Sequence, residues 1–260
     1  MGIFEGVRAC YDHRALIQNL VARQLRARYR GSVLGFLWTF LNPLLLMLVY
    51  SLVFTVYMRV EMKNYGAFVF AGLLPWLWFV SSLSEGTSSI VSSGGLITKA
   101  MFPPEVLPVV AVLTNLMNYI LSLPVLMLIL LIADVQVGVS LLALPAIMAV
   151  QLLLTLGPVF LLSALNVQYR DVQLILANLL TFWFFLCPIL YPLANVPEKL
   201  HFVALANLMG SLVVSYQDVL FYNRFPAWDR LFLVALAGVV VLLIGYGVFA
   251  RHRESFVEWL

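Results

Sequence analysis

The chain alternates between long runs of apolar residues and short polar segments. Six runs approach or exceed the length of about 20 mostly apolar residues that a helix needs to cross a bilayer. They lie at 34–57, 66–83, 106–132, 139–166, 172–190 and 231–250. The runs are continuously apolar, whereas the strands of a membrane barrel show short alternating segments. The pattern therefore predicts an all-α integral membrane protein with about six transmembrane helices.

Composition agrees with this prediction. Hydrophobic residues make up 63% of the 260 positions and charged residues only 10%, against roughly 25% charged in a soluble domain. We expect one transmembrane domain over 31–260, preceded by a charged segment over 1–30. That segment lacks the apolar core and cleavage site of a secretory signal peptide, so we expect it to stay in the mature protein.

The basic residues predict the orientation of the spans. With six crossings both ends share one side, and ten lysines and arginines fall on that side against five on the other. Cytoplasmic loops carry the excess of basic residues in membrane proteins. Both termini are therefore expected in the cytoplasm.

The N-terminal segment has the pattern of an amphipathic helix. Its charged or polar positions recur at steps of three, four or seven, which places them on one face of a helix: Arg8, Asp12, Asn19, Arg23, Arg26 and Arg30. Apolar residues fall opposite, so we expect a helix lying along the inner membrane surface. It serves either as an anchor to anionic lipid alone or also as a docking surface for a cytoplasmic protein. Gly31 permits a sharp bend into the first span.

Two connections between the spans are unusual. The inner one, about 84–104, is rich in Ser and Gly and ends in Phe102-Pro103-Pro104. It is too long for most helix connections, so we interpret it as a coupling loop rather than as an ordinary linker. The outer one, about 191–229, has an apolar middle that is too short for a confident crossing, and we expect short re-entrant helices there.

The sequence lacks its own source of energy. No Asp, Glu, Lys, Arg or His is predicted near mid-membrane, although ion-coupled pumps normally need such a group. No lysine follows a glycine, so the phosphate-binding loop of a nucleotide site is excluded. The chain is then either a passive channel or a partner of a separate ATPase, and it binds no cofactor itself.

Aromatic residues are the candidates for a substrate path. Most aromatic side chains in membrane proteins belong to interfacial belts or to helix packing. A run over 182–185 points to all faces of its helix, so at least one ring is expected to face protein or a pore. Flat rings pack well on the apolar faces of sugars. The predicted path residues are Trp76, Trp78, Phe182, Trp183, Phe184 and Tyr191.

One stretch carries a family resemblance. Residues 26–54, RARYRGSVLGFLWTFLNPLLLMLVYSLVF, resemble the entry to the first span in the permeases of ABC exporters for cell-surface polysaccharides, which include O-antigen, capsule and teichoic acid transporters. Supporting matches are GLLPW at 72–76, the segment 99–103, YRDV at 169–172 and CPILYP at 187–192. The sequence departs from the family at Asn207, because Leu208 follows where relatives often have Pro.

The resemblance implies a transport subunit rather than an enzyme. Such permeases form a homodimer in the bacterial inner (plasma) membrane, where two cytoplasmic ABC ATPase subunits supply ATP and Mg²⁺ chemistry. The substrate is a lipid-linked glycan, membrane lipid surrounds the protein, no nucleic acid is involved, and outer re-entrant helices gate the pore. The positions that the resemblance assigns to the ATPase interface are Arg23, Arg26, Arg28, Tyr29, Arg30, Lys99, Phe102 and Pro103.

Three alternatives remain open from the sequence. The nearest is an ABC exporter permease for a drug, a lipid or another small molecule. A membrane-embedded glycosyl- or lipid-transferase would need clustered Asp, Glu or His at one interface, whereas His13, His201 and His252 are scattered. The third alternative is a passive channel, which would capture no ATPase subunit.

Overall fold

The structure, a computed structural model, describes residues 3–28, 31, 33–95, 103–199 and 206–259. All regular structure in these residues is helical. The main helices are α1 (Ile3–Asp12), α2 (Arg14–Arg28), α3 (Trp38–Leu52), α4 (Tyr65–Ser92), α5 (Val106–Ile132), α6 (Leu144–Gln168), α7 (Asp171–Leu186), α8 (Leu208–Leu220) and α9 (Trp228–His252).

Five helical segments in the described part of the chain are long and apolar enough to cross a membrane. They are Gly35–Tyr57, Tyr65–Ser92, Val106–Ile132, Val139–Gln168 and Trp228–His252. Two further helices, α7 and α8, are apolar but shorter. The expected class, an all-α integral membrane protein, is confirmed, and α5 has the bounds predicted for the third span.

Helix α4 is longer than the sequence pattern predicted. The second span was expected to end at residue 83, with a loop from 84, but the helix continues to Ser92. Serine hydroxyls in this extension bond back to the helix, since Ser89 donates to the Gly86 carbonyl at 2.7 Å and Ser92 to the Ser89 carbonyl at 3.2 Å. The Ser-rich composition that indicated a loop therefore belongs to a helix in which several serine hydroxyls bond to carbonyls of the same helix.

Helix α7 is shorter than predicted. The fifth span was expected over 172–190, whereas the helix covers Asp171–Leu186, a length of about 24 Å at 1.5 Å per residue. Cys187 precedes Pro188 and has an extended backbone, with φ −89° and ψ 139°. A residue before proline is excluded from helical geometry by contact with the proline ring, which ends the helix here.

Two helix pairings organise the bundle: α6 packs on α9, and α6 is also hydrogen-bonded to α4. A Cβ atom at Gly157 of α6 would lie 2.7 Å from the backbone of Val241 in α9, so these helices approach as closely as only glycine allows. Buried amides join α6 to α4: Gln151 donates to the Pro75 carbonyl at 2.8 Å, and Asn166 donates to the Thr87 carbonyl at 3.1 Å. Helix α4 is thereby held at the centre.

The apolar side of α2 packs on α5. Ile17 is buried against Val106 and Val110, and Gln24 accepts a hydrogen bond from Thr114 at 2.9 Å. The earlier residue of α2 contacts the earlier residues of α5, and the later residue contacts a later one. Helix α2 therefore lies alongside the first third of α5. Gly31 follows with φ +82°, the left-handed conformation that glycine permits, as expected for the bend into α3.

Helix α8 is the longest described helix within the predicted outer re-entrant region. Met209, Leu212, Val213 and Tyr216 are fully buried, so the helix lies inside the bundle rather than on its surface. Asn207 caps it by accepting a hydrogen bond from the Gly210 N–H at 3.1 Å. Leu208 takes the first helical position, where proline is tolerated in other helices, so the exchange of Pro for Leu leaves the helix start intact.

Candidate functional site

Two surfaces of α4 carry the features that matter for transport. Successive positions on a helix are 100° apart, so Trp76 and Trp78 point to nearly opposite sides. Both side chains are almost fully buried, at 4% and 2% exposure. Trp76 faces α7, and Trp78 faces α5. The sequence grouped these two tryptophans on one path, and the structure separates them.

The surface toward α7 is an aromatic groove between α3, α4 and α7. Its volume is about 370 Å³, and Tyr50, Trp76, Thr181, Phe184 and Phe185 line it. The ring centroids of Phe184 lie 5.4 Å from Tyr50 and 5.8 Å from Trp76, so the three helices meet through stacked and tilted rings. The groove is an apolar wall in which four aromatic side chains lie among aliphatic ones, with few hydrogen-bonding groups.

Five of the six predicted path residues divide among three places. Trp76 and Phe184 line the aromatic groove, and Trp78 lies on the other side of α4. Phe182 is 70% exposed and lies with Trp183 at a separate apolar cavity of about 770 Å³. The Trp183 side chain is also held in place, because its indole N–H donates a hydrogen bond to the side-chain oxygen of Asn207 at 2.8 Å.

Tyr191 lies just beyond the end of α7. Its hydroxyl donates to the Phe185 carbonyl at 3.0 Å, which folds the segment after α7 back onto the helix. The residue is half-buried and packs against the main core. It borders the outer end of the bundle rather than the aromatic groove.

The surface toward α5 is a polar cavity between α3, α4 and α5. Its volume is about 510 Å³, and its polar and aromatic lining residues include Trp38, Asn42, Trp78, Ser81, Asn115, Asn118, Tyr119 and Ser122. Sequence reasoning missed this cavity. A signal was present, because Asn115, Asn118 and Ser122 recur at steps of three and four in an otherwise apolar span, which puts them on one side of α5.

Several polar groups at the cavity have no partner among the described residues. They are the indole nitrogen of Trp78 and both amide atoms of Asn118. An unsatisfied buried polar group costs about 1–3 kcal/mol. Trp78 is further fixed by stacking on Tyr119, with ring centroids 5.4 Å apart. The cavity is thus bordered by buried polar groups that no described residue satisfies.

A charged cluster lies at one end of the polar cavity. Arg28, at the end of α2, pairs with Glu85 of α4, and the Asn115 amide donates to the same carboxylate at 2.9 Å. The side chains of Arg28 and Glu85 are 32% and 40% exposed, so the pair is partly hydrated. Because the two charges cancel, the end of the cavity is polar without a net charge.

The residues assigned to the ATPase interface show two behaviours. Arg23 and Arg26 are exposed on α2, as a docking face requires, whereas Arg28 turns inward to Glu85. Pro103 begins the turn before α5, where its carbonyl accepts a hydrogen bond from the Val106 N–H at 3.2 Å. Tyr29, Arg30, Lys99 and Phe102 lie outside the described residues. The interface itself stays a prediction.

A second ion pair joins the beginning of α5 to the C-terminal segment. Glu105 is buried, and Arg253 donates to it at 2.6 Å. Cys10 of α1 lies nearby: burial, with a smaller contribution from the negative charge of Glu105, raises the pKa of its thiol to about 11. Three segments on one side of the bundle are therefore packed together, and the Cys10 thiol stays neutral at physiological pH.

Comparison with known proteins identifies the family. A family model described as "ABC-2 type transporter" matches residues 15–221, most of the chain and every transmembrane helix except α9. The chain belongs to the ABC-2 type transporter family. The aromatic groove and the polar cavity of this ABC-2 transporter chain lie within the matched residues, as does helix α8.

Named relatives of this ABC-2 transporter chain match it from end to end. The O-antigen export system permease protein RfbA of Myxococcus xanthus is 47% identical over 255 residues, which cover 97% of this chain and 98% of the relative. A protein of the same name from Klebsiella pneumoniae is 30% identical over 251 residues, covering 96% and 95%. The polysialic acid transport protein KpsM of Escherichia coli is 22% identical over 247 residues, covering 94% and 96%. The family resemblance seen in the motifs is confirmed.

Proposed function

We propose that this chain is the permease subunit of an ATP-driven exporter that moves a lipid-linked polysaccharide from the cytoplasmic side across the bacterial inner membrane. The observation that carries the proposal is the end-to-end similarity to the O-antigen export permease, at 47% identity. The aromatic groove supports it, because ring faces contact the apolar faces of sugars without holding them by strong polar bonds. A long glycan needs contacts of this kind in order to slide.

The pore forms between two copies of the chain. The aromatic groove is open on one side, and apolar residues are exposed on the helices that border it, among them Leu48 and Val49 on α3 and Leu174 and Leu179 on α7. A second copy that covers these faces closes the groove into a conduit. Trp76 and Phe184 then belong to the wall that the glycan passes.

A separate cytoplasmic ATPase supplies the energy. Two copies dock on the permease dimer and bind ATP and Mg²⁺, while this chain binds neither. The exposed Arg23 and Arg26, with the segment between α4 and α5, form the docking face, and both termini lie in the cytoplasm. Movement of α2 reaches the spans directly, because α2 packs on α5 and its last residue pairs with Glu85 of α4.

Affinity purification from native membranes tests the proposal. The tagged chain should bring down an ABC ATPase in equal amount together with a glycolipid, and both are identified by mass spectrometry. Proteoliposomes that contain the two proteins should move the glycolipid only when ATP is present, while those with the permease alone stay idle. Purification of a stable permease without any ATPase, or energy-dependent transport by the permease alone, would contradict the proposal.

A further inference from the structure

The polar cavity has the properties of a binding site rather than of a packing defect. The Trp78 side chain is 2% exposed, and no described residue accepts a bond from its N–H. Asn118 has both amide atoms buried and unpaired in the same lining. The volume of about 510 Å³ is within the roughly 300–1,000 Å³ of sites for small ligands. A ligand with both donors and acceptors would bond to the polar side chains of this lining, which include Asn42, Ser81 and Ser122.

The charges at the cavity restrict the class of ligand. Arg28 is the cationic residue in the lining of the polar cavity, and its guanidinium is already paired with Glu85. A phosphate group would have to compete with that carboxylate, and a cation would have to compete with Arg28. The remaining groups are amides, hydroxyls and the rings of Trp38 and Trp78. Neutral hydroxylated rings fit this lining, because each sugar hydroxyl both donates and accepts and the ring offers an apolar face.

The depth of the cavity indicates where its ligand enters. Glu85 lies about 30 Å along α4 from its outer end at Tyr65, at 1.5 Å per residue, which equals the thickness of the hydrocarbon core. With the orientation of the proposed function, the charged cluster is therefore at the inner boundary of the membrane. The polar lining extends from that boundary toward Asn118 and Ser122 on α5. A head group in the inner leaflet is at the right depth to enter it.

We propose that the polar cavity binds the saccharide next to the lipid anchor of the exported glycan, before or during its transfer to the aromatic groove. The proposal deepens the proposed function and rests on it. Leu46 and Leu77 border both spaces, so only the seam between α3 and α4 separates the holding site from the groove. Amide and hydroxyl side chains of the lining, Asn42 among them, supply the hydrogen bonds, and the Arg28–Glu85 pair borders the inner end.

A labelling experiment tests the site without requiring transport. The full chain is placed in nanodiscs of phosphatidylethanolamine after Cys10 and Cys187 are replaced by Ser. Ser122→Cys and, separately, Ser81→Cys introduce a thiol into the cavity lining. Asn178→Cys is the matched control, because Asn178 is an exposed asparagine on α7 outside the lining of either space. The rate of reaction with a small methanethiosulfonate reagent is measured.

The probe is octyl glucoside below its micellar concentration, and octyl phosphate is the charged comparison. Octyl glucoside should slow labelling at both cavity positions by at least about fivefold, since an occupied site excludes the reagent by mass action. Octyl phosphate should change the labelling rates of the cavity thiols by less than about twofold. Neither probe should change the labelling rate of Asn178→Cys by more than about twofold. No protection by octyl glucoside at either position, or equal protection by octyl phosphate, overturns the proposal.

Lipid extracts then separate the exported glycolipid from resident membrane lipid. Extract from glycan-producing cells should protect the cavity thiols, while extract from cells blocked in glycan assembly should not. Equal protection by both extracts would make the occupant a resident lipid and overturn the assignment. A permease that exports glycan but has unprotected thiols refutes only the cavity site. Protected thiols in a complex that never moves glycan refute only the proposed function.

Discussion

Trp76 and Trp78 are two residues apart on α4, yet they face different surroundings. Trp76 meets Phe184 and Tyr50 in a groove where ring contacts predominate. Trp78 meets Tyr119 and Asn118 in a cavity where hydrogen-bonding groups are buried without partners. The same helix therefore presents an apolar aromatic wall on one side and an unsatisfied polar wall on the other.

The difference between the two walls suggests different tasks. A wall of rings contacts a polymer weakly and evenly along its length, which suits movement. A cavity with fixed donors and acceptors holds one chemical group in one place, which suits selection. The predictions below change one wall at a time, so that the two tasks can be separated by experiment.

The largest effect is expected from the aromatic groove. The double variant Trp76→Ala and Phe184→Ala removes two neighbouring rings and should lower export by more than about tenfold, since a loss of about 1.4 kcal/mol of ring contact with the glycan is enough for a tenfold change. Surface glycan is measured on cells with equal permease levels. Phe182→Ala is the control, because Phe182 lies on α7 away from the groove and is 70% exposed. Equal losses in both variants would remove the groove from the path.

Substitutions at Asn166 and Asn118 compare a buried amide that joins two helices with a buried amide that has no partner among the described residues. Asn166→Leu removes the bond to the Thr87 carbonyl and should destabilise the permease by about 1–3 kcal/mol. Asn118→Leu replaces an unpaired buried amide and should keep or raise stability by up to about 1 kcal/mol. Thermal unfolding in nanodiscs measures both, and export should fall in Asn118→Leu despite its stability. An Asn118 variant as unstable as the Asn166 variant would give the cavity a structural role.

The smallest effect is expected at the charged end of the cavity. Arg28→Ala breaks a pair that is partly exposed on both sides, so its cost should be at most about 1 kcal/mol, or roughly a fivefold loss of export. The exchanged pair, Arg28→Glu with Glu85→Arg, should recover part of that loss, because attraction between α2 and α4 is restored. Export and ATPase binding are measured together. A swapped pair no better than either single variant would mean that the attraction itself is unimportant.

The spans could be predicted from the sequence because long apolar runs have few alternatives in a membrane protein. The extension of α4 to Ser92 could not, because a Ser-rich segment has weak helix propensity and this one is packed on α6, through Gly86 against Val159 and the Thr87 carbonyl against Asn166. The ion pair between Arg28 and Glu85 could not be predicted either, because the two residues are distant in sequence. Tertiary neighbours decide both features.

The aromatic residues of the candidate site could be predicted from the sequence, whereas their arrangement in space could not. Aromatic residues stand out in the sequence, so Trp76 and Phe184 were identified, but their division between two sides of α4 follows only from helix packing. Asn118 is inconspicuous in the third span, and its significance depends on the absence of a partner among the described residues. Spacing along α5 was the one available signal.

Photocrosslinking of the moving glycan tests the central claim that the path follows the α7 side of α4. A photoreactive phenylalanine analogue replaces Phe185, which lines the aromatic groove, or Phe182, which lies outside it. Illumination during ATP-driven export should attach glycan to the variant at position 185 and leave the variant at 182 unmodified. Glycan attached at 182 and absent at 185 would contradict the account.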